Sequence, residues 1–126
     1  MDITPTIPSD RQYIQRYDAA GFRVSGVDYL GSVIVLPEGT ASWPIDRFDR
    51  VDRAALRVVL EAALRPELLI IGCGRRGVPP NLSLRAALKA EGIALELMET
   101  GAACRTYNVL LGEARRVAAA LIVLGA

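Results

Sequence analysis

Leu68-Leu69-Ile70-Ile71 opens the stretch that decides the fold, and four segments follow it: Leu82 to Glu91, Ile93 to Met98, Ala102 to Glu113 and Val117 to Val123. The first, third and fifth are apolar runs of strand length. The second and fourth are longer and mix polar with apolar residues, as helices covering one face of a sheet do. The order βαβαβ predicts a three-layer α/β half with a largely parallel sheet. Gly92, just after Lys89-Ala90-Glu91, suits a left-handed residue past a helix end, and Thr100 suits the N-cap of the last helix.

Working back from there, Leu56, Val59, Leu60, Ala63 and Leu64 fall on one helical stripe and predict a helix from about Asp52 to Leu64. Before Trp43-Pro44 the text is Gly-punctuated and rich in β-branched and aromatic residues. Ile14 to Tyr17, Phe22 to Val24, Val27 to Leu30 and Ser32 to Leu36 read as short strands of a β meander separated by Gly21, Gly26 and Gly31. Ser32 to Leu36 is nearly continuous in its hydrophobicity and stops at Pro37 and Gly39, which suits a strand buried on both faces. Met1 to Asp10, with Pro5 and Pro8, reads as a loose leader to a single domain spanning residues 1–126.

The composition narrows the function. At 126 residues, 52% of them apolar or aromatic, the chain is one domain able to build its own core. A net charge of +1 gives no electrostatic footprint for nucleic acid or anionic lipid. There is no His, which removes Ser-His-Asp and Cys-His couples and most zinc sites. Two cysteines cannot complete a structural zinc site or a disulfide framework, so a reducing cytoplasm is the expected setting, with no metal. The N-terminus shows no secretory pattern, and Val117 to Ala126 is about half of the roughly 20 apolar residues a membrane span needs, so no membrane insertion is expected.

Four features carry chemistry worth weighing. Gly72-Cys73-Gly74-Arg75-Arg76-Gly77 is a literal G-x-G-x-x-G after a strand, but Val78-Pro79-Pro80 delay the next helix to about Asn81. A pyrophosphate would find no helix terminus where that fingerprint needs one. Cys73 and Cys104 end a strand and open a helix, which would put both thiols on one rim if their strands are parallel neighbours. The helix dipole and Arg105 would then favour a Cys104 thiolate. The acid-base repeat from Asp46 to Arg53 reads as a self-neutralising surface entering a helix, and Trp43 as a ring packed over a sheet edge. The densest polar cluster runs from Glu99 to Asn108. Small residues at Gly101 to Ala103, free amides at the helix start and Arg105 make a generic anion site, while Thr100, Tyr107 and Asn108 are equally suited to capping, core packing and holding a neighbouring loop.

Leu69-Ile70-Ile71-Gly72-Cys73-Gly74, Met98-Glu99-Thr100-Gly101-Ala102-Ala103-Cys104-Arg105-Thr106-Tyr107-Asn108-Val109-Leu110 and Arg116-Val117-Ala118-Ala119-Ala120-Leu121 together resemble the Mth938-like domain family. Gly31 to Val35 and Trp43-Pro44 fit its first half, so the resemblance runs from about Tyr13 onward. It implies a three-layer α/β fold with a mixed central sheet, one strand opposing the rest, and a small β element in the N-terminal half. The family includes the mitochondrial assembly factor for respiratory complex I. The resemblance therefore implies a non-enzymatic, protein-binding factor that assists assembly of a membrane-associated or respiratory complex, with no cofactor and no catalytic residue to carry over. The expected contact is a rim of Gly72, Cys73, Gly74, Arg75, Thr100, Cys104, Arg105, Tyr107 and Asn108, facing a protein partner. The alternative is that the same rim binds a small anion or uses cysteine redox chemistry.

Overall fold

The computed structural model describes residues 11–125, so the leader expected over Met1 to Asp10 lies outside the described residues. The strands are β1 (Ile14–Tyr17), β2 (Gly21–Val24), β3 (Val27–Leu30), β4 (Ser32–Leu36), β5 (Gly39–Trp43), β6 (Leu68–Gly72), β7 (Ala94–Met98) and β8 (Val117–Leu121). The helices are α1 (Arg57–Leu60), α2 (Leu82–Lys89) and α3 (Thr100–Gly112).

The expected meander divides between two sheets. β1, β2 and β3 form a three-stranded antiparallel sheet, while β4 and β5 join a second sheet in the order β5-β4-β8-β6-β7. β8, β6 and β7 run parallel, and β4 pairs antiparallel with both β5 and β8, so β4 is the strand that opposes the rest. β4 is buried on both faces, as its continuous apolar run requires, because a strand flanks it on each side and cores cover both its faces.

The two cores follow from the side-chain alternation of a strand. Along the last strand Val117, Ala119 and Leu121 enter one core with Val33, Val35 and Ile70, under α3 and the small sheet. Ala118, Ala120 and Ile122 enter the other with Leu69 and Ile71, under Leu56, Val59, Leu84 and Leu88 from the opposite helical layer. Chain direction accounts for the opposite placement of α2 and α3. The crossover β6-α2-β7 steps outward along the sheet and β7-α3-β8 steps back, so two right-handed crossovers must use opposite faces.

The expected helix over Asp52 to Leu64 is much shorter. A 3₁₀ turn at Ala54–Leu56 leads into the single turn of α1. Two side chains take carbonyls that a longer helix would use or extend from. The Trp43 indole donates to the Ala55 oxygen at 2.8 Å, and Arg65 donates to the Leu60 oxygen at 2.9 Å. Leu56, Val59 and Leu60 are buried, but Leu64 is 63% exposed. The charged repeat from Asp46 is correspondingly not helical beyond one 3₁₀ turn at Phe48–Arg50. Its ion pairs among the described residues are Arg47 to Asp49 at 2.8 Å and Arg53 to Glu91 at 2.7 Å.

Gly92 takes the expected left-handed conformation at φ +79° after α2. No helix among the described residues is long and apolar enough to cross a membrane.

Candidate functional site

The carboxyl ends of β6, β7 and β8 converge, which is where sheets of this kind place their sites. One buried hydroxyl ties the three ends together. Thr100, the first residue of α3, accepts a hydrogen bond from the Gly74 N–H at 2.9 Å and donates to the Ile122 carbonyl at 2.7 Å. Gly74 itself sits at φ +99°, a turn conformation that glycine adopts without strain. This turn carries Arg75 onto the surface.

Glu99, not Thr100, caps α3. Its carboxylate accepts from the Gly101 N–H at 3.1 Å and the Ala102 N–H at 2.6 Å. The Thr100 N–H donates to the Gly74 oxygen and the Ala103 N–H to the Glu99 oxygen. The Thr100, Gly101 and Ala102 amides expected to be free at the start of α3 are therefore taken, and the chain's own Glu99 occupies the position expected for an anion.

Above this cap lies a surface cleft of about 390 Å³ lined by Tyr17, Asp18, Arg75, Glu99, Arg105 and Leu124. Arg105 donates to the Tyr17 hydroxyl at 3.0 Å and lies 3.5 Å from Glu99. Gly101 lets these groups meet, because a Cβ there would stand 2.6 Å from the Tyr17 hydroxyl. Asp18 accepts from the Ala20 and Gly21 N–H groups, and these bonds hold its carboxyl below the usual carboxylate range.

Of the expected rim, Arg75 and Arg105 reach this cleft. Gly72, Gly74 and Thr100 lie buried beneath it, and a Cβ on Gly72 would stand 3.0 Å from the Thr100 Cα. Tyr107 and Asn108 turn inward to hold β1. The Tyr107 hydroxyl donates to the Gln12 carbonyl at 3.0 Å. Asn108 accepts from the Ile14 N–H at 3.0 Å and donates to the Ile14 carbonyl at 2.7 Å, behaving as a one-residue strand on the edge of β1. Sequence reasoning missed Tyr17, Asp18 and Leu124 as lining, and Glu99 as cap. Glu99 alone left a signal, standing one residue before the expected cap and followed by three small or hydroxylated residues.

The two thiols do not share a rim. Cys104 is buried in the core under α3, while Cys73 packs against the core on the opposite face of the sheet. Cys104 is the fifth residue of α3, past the turn where a helix dipole acts strongly. Burial pushes its thiol up to about 12, and Arg105 opposes this without overcoming it. Burial likewise pushes Cys73 up to about 11. Both are expected to be poor nucleophiles: at neutral pH Cys104 carries on the order of a thousandfold less thiolate than an ordinary cysteine. Timed alkylation by iodoacetamide, native against denatured, checks this, and labelling of Cys104 in the native protein at the rate of a free thiol would contradict it. Among the described residues no group of His, Cys, Asp or Glu is placed to hold a metal ion.

A five-stranded mixed sheet between two helical layers, with a small antiparallel sheet over one face, is the Mth938-like class of α/β fold. A Bordetella pertussis protein described as a Mth938-like domain matches with a TM-score of 0.81 and 29% identity, over 99% of this chain and 94% of its own. Residues 14–122 match the family described as "Protein of unknown function (DUF498/DUF598)", and the chain belongs to that family. A protein from Bartonella henselae described as an outer membrane protein matches with a TM-score of 0.82 and 34% identity, covering 92% of this chain and 98% of that one. Among curated relatives, human NADH dehydrogenase [ubiquinone] 1 alpha subcomplex assembly factor 3 is 30% identical over 110 residues, 87% of this chain. The Drosophila melanogaster protein of that name is 34% identical over 109 residues, 84% of this chain. The chain spans 60% of the length of the human relative and 56% of the fly one. An uncharacterized Rhodobacter capsulatus protein is 38% identical, covering 86% of this chain and 82% of its own.

Proposed function

We propose that this chain is a non-enzymatic, cytoplasmic protein-binding factor that assists assembly of a membrane-associated or respiratory complex, and that it meets its partner at the cleft bearing Arg75 and Arg105. The observation that carries the reading is the 30% identity to human assembly factor 3, extending over 87% of this chain. The geometry supports it in two ways. The polar groups beneath the cleft serve the fold, with the α3 amides committed to Glu99, Glu99 itself and Gly74, and with both thiols held protonated by burial. Among the groups that reach the surface, beside the Asp18 and Glu99 carboxylates, are the guanidinium donors of Arg75 and Arg105, which suit recognition of another protein's carboxylates and carbonyls.

The test is deletion of the gene in its own organism, followed by native electrophoresis of membranes and measurement of NADH oxidation. Assembled NADH dehydrogenase is expected to fall several-fold and to be restored by the wild-type chain. A folded Arg75→Glu/Arg105→Glu double variant is not expected to restore it, since charge reversal at a contact surface turns attraction into repulsion. An unchanged level of every respiratory complex after deletion would remove the proposal.

A further inference from the structure

The lining of the cleft is formally balanced, with Arg75 and Arg105 against Asp18 and Glu99. Its charges are not equally available. Each Glu99 oxygen accepts a backbone N–H, and the Asp18 Oδ1 accepts two more. Glu99 is thus satisfied at both oxygens by the chain's own amides, and exposed Asp18 at one of its two. Of the two cations, Arg105 pairs with Glu99 at 3.5 Å, and Arg75 stands differently. Arg75 and its exposed neighbour Arg76 have no hydrogen-bond or ion-pair partner among the described residues. Elsewhere on the surface many arginines spend their charge on a neighbouring carboxylate: Arg23 on Asp28, Arg53 and Arg65 on Glu91, Arg115 on Glu67.

Arg105 adds pre-organisation. One of its terminal nitrogens is held by the Tyr17 hydroxyl and the other lies near Glu99, so its guanidinium is already positioned while its side chain remains 52% exposed. An arginine fixed in this way loses less conformational freedom on binding than a free one, and its planar fork matches a carboxylate. Leu124, only partly buried, gives the same cleft an apolar surface.

We propose that the cleft docks an acidic segment of a partner protein, with an Asp or Glu side chain seated between Arg75 and Arg105 and an apolar neighbour of that segment against Leu124. This rests on the protein-binding reading above and specifies the chemistry of what is bound.

The chain's single lysine makes a direct test available. Carbodiimide joins an amine to a carboxylate in contact with it, and the only side-chain amine is Lys89. Arg75→Lys therefore places a new reactive amine in the cleft, and Arg50→Lys places one at an exposed site elsewhere. Each variant, checked for folding by circular dichroism, is added to detergent-solubilised membranes of the native organism with carbodiimide, and the joined peptides are sequenced. The expected result is Arg75→Lys joined to Asp or Glu residues of one acidic stretch in one partner. Wild type and Arg50→Lys should lack that product, and capture by Arg75→Gln/Arg105→Gln should fall about tenfold. If the partner is retained but no carboxylate of it couples at position 75, acidic docking is overturned while the assembly role stands. If nothing is retained and deletion leaves every respiratory complex intact, both readings fall.

Discussion

Asn108→Leu is expected to lower the unfolding free energy by about 3 kcal/mol, on the scale of 1–3 kcal/mol for each buried backbone group left without a partner. Asn108 is 8% exposed, and its side chain serves both polar groups of Ile14, which is itself fully buried. Leucine keeps the branched side-chain skeleton, so the loss falls chiefly on the orphaned N–H and carbonyl. For a domain of this size that corresponds to a fall in Tm of about 10 °C. Urea unfolding at unchanged m-value checks it, and a variant within about 0.5 kcal/mol of wild type would show that Ile14 finds other partners.

Asn108→Asp separates the hydrogen bonds from the packing. An ionised carboxylate there still accepts from the Ile14 N–H but repels its carbonyl, whereas the protonated acid restores the donor. Burial and the facing carbonyl raise the folded-state pKa of the new group above its unfolded value. The sign follows from linkage. The folded state binds the proton more tightly, so the variant comes closest to wild type below the unfolded pKa of about 4 and loses stability as pH rises through the raised folded value. Denaturation midpoints of variant and wild type compared from acid to neutral pH should diverge upward along the pH axis. Parallel curves would mean that the side chain has turned out to water.

These two substitutions also mark the boundary of what sequence could tell. The alternation Val117-Ala118-Ala119-Ala120-Leu121-Ile122 places a central strand and feeds both cores, because period and burial are properties of neighbouring residues. The βαβαβ order and the delay of α2 behind Val78-Pro79-Pro80 are local in the same sense, and Asn81 does cap that helix. β5 left no such trace. Gly39-Thr40-Ala41-Ser42-Trp43 has neither alternation nor a β-branched run, and it is a strand because β4 lies beside it in register. The helix expected to reach Leu64 failed for a similar reason. Its local periodicity was sound, but Trp43 and Arg65 bind its carbonyls, one of them from twelve residues away. At the site, Arg75 and Arg105 were legible as cations beside small residues. Tyr17 was not, since only the closed fold brings it across to a residue 88 positions later.

Thr100→Val carries the second large effect, and it tests the link between scaffold and cleft. Valine keeps the shape and the β-branch, so the change amounts to the loss of one hydroxyl, but that hydroxyl satisfies the Gly74 N–H and the Ile122 carbonyl at a fully buried position. Two orphaned groups correspond to about 2–4 kcal/mol. Thr100→Ser keeps the hydroxyl and loses only a methyl group, a cost of about 1 kcal/mol. The hydroxyl also fixes the Gly74 turn against the start of α3, and those two segments carry Arg75 and Arg105. Loosening it should therefore increase hydrogen exchange at the Gly74 amide and weaken partner capture with both arginines still in place. Thr100→Ser should leave each of these near wild type. If Thr100→Val destabilises the fold while Gly74 exchange stays unchanged, the hydroxyl is a structural tie only, and the Gly74 turn is held against the start of α3 by the backbone bond from the Thr100 N–H to the Gly74 oxygen.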